Sequence, residues 1–125
     1  MQQVPLSGVV MVTTPQEIAL ADVRRGIQMF QGVKVPVLGV VENMSHFVCP
    51  DCGSDHDIFG RGGGRSVAAQ FDVPWIEFFM EGIALNDDLL QADRIHPTAE
   101  AQPILLDNAW PVISATLGAL DNAGD

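Results

Sequence analysis

Residues 40–53 read V-V-E-N-M-S-H-F-V-C-P-D-C-G, and they join an apolar run to the only two cysteines of the chain. The segment opens with the end of an apolar run, passes through Asn43, and closes with Cys49 and Cys52 in a C-x-x-C arrangement. A continuous apolar run of this kind is typical of a strand buried on both faces of a parallel sheet. The stretch therefore predicts a buried strand that leads into a loop with two thiols.

The residues before this segment predict the first part of a parallel sheet. Residues 8–13 and residues 36–42 are two short β-branched apolar runs. Between them, T-P-Q-E at residues 14–17 has the pattern of a capping box, and apolar residues then recur at helical spacing until Gly32. Strand, helix and strand at this spacing predict a βαβ unit with a right-handed crossover.

The ends of the two strands are the first candidate site. In an open parallel sheet, ligands bind at the carboxyl ends of the strands. Thr13 and Thr14 follow the first strand and Asn43 follows the second, so all three lie at that edge. A helix cap and an ordinary turn explain the same residues without a ligand. Both interpretations stay open on this pattern alone.

The cysteine pair is the second candidate site. Cys49 and Cys52 are the only cysteines of the chain, and their spacing suits binding of one metal ion. Two sulfur ligands leave a tetrahedral site half filled. His46 or His56 would complete an intrachain zinc site, whereas a second cysteine pair from a symmetry-related chain would complete a shared one. A redox dithiol, or no role, is a further interpretation, although redox pairs normally open a helix.

A glycine-rich segment follows the cysteines at residues 59–66, F-G-R-G-G-G-R-S. It fails both common phosphate-loop patterns because Arg65 stands where each requires a glycine, and because it follows a loop and not a strand. We expect it to be a flexible entry to a short helix over residues 66–71, with glycine N–H groups and Arg65 available to an anion.

Composition and charge exclude several classes of protein. The 125 residues, 47% of them apolar, suit one compact domain over residues 1–125. A net charge of −10 and only six scattered basic residues argue against a nucleic-acid surface. No apolar run approaches the about 18 residues of a membrane span, and the N-terminus lacks the features of a signal peptide. We therefore expect a cytoplasmic protein without membrane association.

Four stretches of the first part of the chain carry a family resemblance: PLSGVVMVTTPQE at 5–17, VPVLGVVENMS at 35–45, CPDC at 49–52 and IFGRGGG at 58–64. Through them, residues 2–74 resemble the Mrp/ApbC group of P-loop ATPases, which carry iron–sulfur clusters. The resemblance implies that Cys49 and Cys52 bridge a 4Fe–4S cluster across a homodimer and that Asn43 lies beside a nucleotide base. The group's Walker A loop and switch regions precede the matched segment, so we expect neither ATP binding nor ATP hydrolysis.

The sequence pattern changes at about Pro74. Residues 93–97 read D-R-I-H-P, and residues 99–103 read A-E-A-Q-P. Through these motifs, residues 75–125 resemble the C-terminus of SGNH (GDSL) esterases of the TesA kind. That resemblance implies that Asp93 and His96 are vestiges of a Ser-His-Asp triad. The nucleophile block is missing, so we expect no acyl transfer, only a hydrogen bond from loop to helix.

These patterns together predict a three-layer α/β domain whose small parallel sheet has about three strands, the third over residues 73–79, with flanking helices. A last helix after Thr98 is expected to kink or break at Pro103 and Pro111. Because two open edges and thin helical cover are unfavourable for an apolar sheet, we expect a homo-oligomer that completes it.

The expected function follows from the cysteine pair. We expect a non-catalytic hybrid of two fragments, related to iron–sulfur cluster carriers, that binds at most zinc or an iron–sulfur cluster through Cys49 and Cys52 across a dimer. One alternative is a structural hybrid with no biochemical activity. A more distant alternative is a vestigial esterase without its nucleophile.

Overall fold

The computed structural model describes residues 5–45, 47–49, 51–76 and 79–123. Asp87–Leu89 is a single turn of 3₁₀ helix. The other elements, in chain order, are β1 (Val9–Thr13), α1 (Glu17–Gly32), β2 (Val37–Glu42), β3 (Phe47–Val48), β4 (Asp55–His56), α2 (Gly63–Gln70), β5 (Trp75–Ile76) and α3 (Gln102–Ala123).

The main sheet has three parallel strands in the order β1-β2-β5. β2 is central, with Thr13 of β1 opposite its last residue, Glu42, and Trp75 of β5 opposite Val40. Every residue of β2 is buried, as expected for a strand with neighbours on both sides. The predicted α/β fold with a small parallel sheet and flanking helices is confirmed. The third strand is shorter than expected, Trp75–Ile76, and residues 77 and 78 lie outside the described part.

Helices cover both faces of this sheet. Successive residues of a strand point to opposite faces, so Val40 and Val41 face different layers. Val40 lies in a cluster built from α1, α2 and β2, and Val41 lies in a cluster with Ile76 and Ala109 of α3. The first cluster contains the buried residues Leu20, Val23, Ile27, Val37, Val40, Val67 and Ala68. The domain is therefore three-layered, with α1 and α2 on one face and α3 on the other.

Two helix predictions need correction. α1 begins at Glu17 without a side-chain cap, because the Thr14 hydroxyl donates to Gln16 Oε1 at 3.3 Å and so forms no capping box. α3 continues through Pro111 without a break. Pro103 is the second residue of that helix, where a missing N–H costs nothing, and Pro111 removes only one interior donor.

A third apolar cluster holds the segment between β5 and α3. Ile83 is fully buried there against Ala101 and Leu105, with Phe79 and Met80 packed beside them. This cluster fixes the irregular segment over the carboxyl end of the sheet. In the described ranges, none of the helices combines the length and the apolar character needed to cross a bilayer.

Candidate functional site

The cysteines lie at the tip of a short antiparallel hairpin. β3 pairs with β4 so that Val48 is opposite Asp55, and the turn between them contains both thiols. The Cys49 N–H donates to the Ser54 carbonyl, and the Gly53 N–H donates to the Cys49 carbonyl, each at 2.9 Å. Gly53 has a φ of 69°, a conformation that suits glycine. The sequence predicted an irregular loop here, so the hairpin corrects that expectation.

The hairpin turn favours ionisation of one thiol. Cys49 is half-buried and Cys52 is exposed. Cys52 Sγ and Ser54 Oγ are 3.2 Å apart; the protonated thiol donates to the hydroxyl oxygen, and the hydroxyl donates to the sulfur once the thiol is ionised. Hydrogen bonds from the Ser54 side chain, the Ser54 backbone and the Cys49 thiol lower the pKa of Cys52. Since the thiolate is the form that binds a metal, this turn is suited to a soft metal centre.

The two thiols are the ligands that the hairpin brings together. Within the described ranges, no group of three or more His, Cys, Asp or Glu side chains is placed to hold a metal ion. His56 is exposed on β4 and belongs to no such group, and His46 lies outside the described residues. Two soft sulfur donors fit half of a zinc site or half of the ligand set of an iron–sulfur cluster.

Arg61 joins the hairpin to the glycine-rich segment. Its Nη2 lies 2.7 Å from Asp55 Oδ2 and 2.8 Å from Asp57 Oδ1. The hydrogen bond to Asp55, together with the charges of both carboxylates, raises the pKa of Arg61. Two carboxylates on one guanidinium form a small network instead of an isolated surface pair. Strand β4 is thereby tied to the residue just before the N-terminal cap of α2.

A buried carboxylate occupies the start of α2. Glu42 is 3% exposed at the end of β2. It accepts hydrogen bonds from the Gly62 N–H at 2.8 Å and from the Gly64 N–H at 2.5 Å. The sequence predicted that these glycine N–H groups would be available to an external anion, but the chain supplies its own. Sequence reasoning missed Glu42, although an acidic residue at the end of a buried strand was a usable signal.

Asn43 forms the turn after β2. Its N–H donates to the carbonyl of Thr13 at 2.8 Å, and its Oδ1 accepts from the Met44 N–H at 2.9 Å. Thr13 is buried, and its hydroxyl donates to the Thr14 carbonyl at 2.9 Å. The structure therefore contains an ordinary turn at Asn43, as one of the two interpretations of the sequence had it.

Asn43 also lines a cavity of about 630 Å³ at the carboxyl edge of the sheet. His96 lines the same cavity, although the sequence placed the two residues in different candidate sites. The other walls are largely apolar and come from both parts of the chain: Met44, Phe79, Met80, Ala84, Leu90, Ile95, Pro97 and Leu105, with Arg94 and Gln102 as polar members. None of these side chains carries a hydroxyl or thiol nucleophile.

Asp93 and His96 form a pair close to this cavity. His96 Nδ1 lies 2.7 Å from Asp93 Oδ2, while Asp93 Oδ1 accepts from the N–H groups of Ile95 and His96 at 3.0 and 3.1 Å. These hydrogen bonds, first that of the His96 ring, hold the pKa of Asp93 well below its usual range. The pair closes a turn within residues 93–96, so the expected bond from loop to helix is not formed.

Comparisons with known proteins agree with the hairpin chemistry. The family model described as "ParA: NUBPL iron-transfer P-loop NTPase" matches residues 1–105, so the match extends past Pro74, where the sequence pattern was expected to leave the family. An iron-sulfur cluster carrier protein of Pseudomonas fragi is 45% identical over 102 residues, 82% of this chain and 34% of the relative. The iron-sulfur cluster transfer protein NUBPL of Dictyostelium discoideum is 51% identical over 75 residues, 60% of this chain and 23% of the relative.

Solved structures are also similar over much of the chain. The crystal structure of TesA is 26% identical, with a TM-score of 0.53, and the match covers 78% of this chain and 54% of TesA. The family match covers more of the sequence. It includes the thiol hairpin, the turn at Asn43 and the Glu42 anchor, which is the Glu42 carboxylate with the N–H groups of Gly62 and Gly64. This chain spans about a third or less of the length of the two carrier relatives, and it belongs to the ParA family of NUBPL iron-transfer P-loop NTPases.

Proposed function

We propose that this chain carries an iron–sulfur cluster as cargo, held by Cys49 and Cys52 together with the same two thiols of a second copy. The observation that carries the proposal is the placement of both thiols at an exposed hairpin tip that supplies two ligands. Relatives named as iron-sulfur cluster carriers and transfer proteins support it. The site acts in the cytosol, and the cluster is bound and released without being chemically transformed.

The hairpin geometry suits reversible binding. The lowered pKa of Cys52 makes its thiolate available at a lower pH than that of an ordinary thiol, and the exposed tip leaves room for a second hairpin to approach. Four thiolates complete the ligand set of a cluster, whereas one chain supplies two. Zinc accepts the same donors and is the main competing occupant.

We further propose that the chain is non-catalytic and does not bind ATP on its own. The glycine N–H groups of residues 62 and 64, which could otherwise contact a phosphate, already bind the Glu42 carboxylate. An enclosed carboxylate at that position also repels a phosphate.

Anaerobic reconstitution with iron and sulfide tests the cargo proposal. The wild-type chain should gain stoichiometric iron and sulfide together with the visible absorption of a cluster, and a Cys49→Ser/Cys52→Ser variant should gain neither. Equal iron in both proteins would contradict the proposal. If the wild-type chain contains zinc and no iron, the occupant of the site is zinc and not a cluster.

A second candidate function comes from the later part of the chain. The similarity to TesA and the 2.7 Å contact between Asp93 and His96 beside a cavity favour an esterase-like origin for residues 75–125, so that the chain is a hybrid. We propose that this part now serves as structural cover for the sheet. Hydrolysis of p-nitrophenyl butyrate that is lost in a His96→Ala variant would instead support a vestigial esterase. A chain with neither bound metal nor ester turnover would be a structural hybrid without activity.

A further inference from the structure

The thiol hairpin is too small to hold its own orientation. β3 and β4 have two residues each. Isolated two-stranded hairpins are marginal in water even when they are longer, so contacts with the rest of the domain must fix the position of the tip. Any site that needs two hairpins to meet depends on that fixed position, because a mobile tip would pay the entropy of ordering when it binds.

The domain supplies such contacts through consecutive residues. Glu42, at the end of the central strand, binds the N–H groups of Gly62 and Gly64. Arg61 directly precedes Gly62, and its guanidinium binds Asp55 and Asp57 at 2.7 and 2.8 Å. The buried core of the sheet is thereby connected to β4 through the hydrogen bonds of Glu42, the peptide bond between Gly62 and Arg61, and the ion pairs of Arg61.

The same contacts reduce the negative charge beside the thiols. The hairpin and the residue after it carry three aspartates, Asp51, Asp55 and Asp57. Each bound cluster adds further negative charge from thiolates and sulfide. Arg61 pairs with two of these carboxylates and offsets one unit of their negative charge, although all three partners are about half exposed and solvent screens part of the attraction.

We infer that Arg61 is a positioning residue for the thiol pair and that the Glu42 anchor fixes Arg61 in turn. The expected effect of Arg61 on metal binding rests on the proposed function. Its expected effect on the order of the hairpin does not. Loss of Arg61 therefore weakens binding of a thiolate-seeking metal and also loosens the hairpin in the metal-free protein.

Titration with Co²⁺ as the probe measures the first consequence. Arg61→Gln should weaken Co²⁺ binding about tenfold, the low end of the effect of residues that support metal ligands. Arg61→Lys should recover part of the affinity, because it keeps the charge but loses the planar fork. Arg25→Gln is the matched control, since it removes an arginine and its 3.3 Å ion pair with Asp22 on α1 and should bind as the wild type does.

Hydrogen exchange on the metal-free proteins measures the second consequence. The Cys49 and Gly53 amides donate within the hairpin turn, so both should exchange several-fold faster in Arg61→Gln than in Arg25→Gln. Equal exchange in these two variants, or Co²⁺ affinity unchanged in Arg61→Gln, would overturn the inference. If the wild-type chain binds no Co²⁺ but the two amides still exchange faster in Arg61→Gln, the proposed function is wrong. Arg61 would then remain the residue that orders the hairpin.

Discussion

At the scale of single residues, the Glu42 carboxylate is the polar group with the largest expected effect on stability. It is almost fully buried, and both of its oxygens accept from backbone N–H groups. Glu42→Gln keeps the shape of the side chain but turns one acceptor into a donor that faces an N–H group. The free energy of unfolding should fall by about 1–3 kcal/mol. An unchanged urea midpoint would show that the two N–H groups find water instead.

Gly64 is restricted by the same contact. A Cβ at this position would lie 2.9 Å from Trp75 Cζ3 and 3.1 Å from Glu42 Cβ. Gly64→Ala should therefore destabilise the fold by about 1–3 kcal/mol, because α2 must move away from the sheet. Gly32→Ala is the control, since its added Cβ meets no atom within 4 Å. Thermal unfolding should separate the two variants, and equal midpoints would refute this view of the α2–sheet contact.

The Ser54 hydroxyl controls the ionisation of Cys52. Its hydrogen bond is the largest cause of the lowered thiol pKa, so Ser54→Ala should raise that pKa. Because a lowered pKa gives thiolate at lower pH, the Ser54→Ala variant should need a higher pH than the wild type for the same alkylation rate. Rates of iodoacetamide modification against pH measure this shift, with Ser66→Ala on α2 as control. Coincident profiles for Ser54→Ala and wild type would contradict the assignment.

At the scale of elements, local patterns predicted β1, α1 and β2 within a few residues, because the two strands are continuous apolar runs and the apolar residues of α1 recur at helical spacing. The hairpin could not be predicted in that way. β4 is the polar, exposed pair Asp55–His56, and strands of two residues carry no periodicity. α2 begins at Gly63, before the expected residue 66, because its first N–H groups are satisfied by Glu42, twenty residues away in sequence. Tertiary contacts thus set the boundaries that local propensity could not.

Pro111 gives a test at the scale of a helix. It lies inside α3 on an exposed position and removes one intrahelical hydrogen bond. Pro111→Ala restores that donor and should raise the free energy of unfolding by about 1–3 kcal/mol. Guanidinium unfolding followed by circular dichroism measures the change. A loss of stability would mean that the proline ring makes a packing contribution larger than the missing hydrogen bond.

At the scale of the whole molecule, the cavity at the sheet edge combines residues that are distant in sequence. Asn43 and His96 both line it, and the sequence assigned them separately to a nucleotide site and to an esterase vestige. The packing of Ile83, Ala101 and Leu105 helps to hold the later segment over the sheet. The thiol pair was identified from sequence because its spacing is local, whereas its bracing by Arg61 and Glu42 depends on the fold.

The two halves of the proposed cluster site meet only in an assembly. The sheet has β1 and β5 at its edges, and each chain offers two thiols at one exposed tip. Cargo binding and pairing of chains must therefore occur together.

Native mass spectrometry of the anaerobically reconstituted protein tests this requirement most directly. We expect a dimer whose added mass corresponds to one 4Fe–4S cluster, and no cluster-bearing species in the Cys49→Ser/Cys52→Ser variant. A cluster on a monomer, or a cluster-loaded dimer of the serine variant, would contradict it.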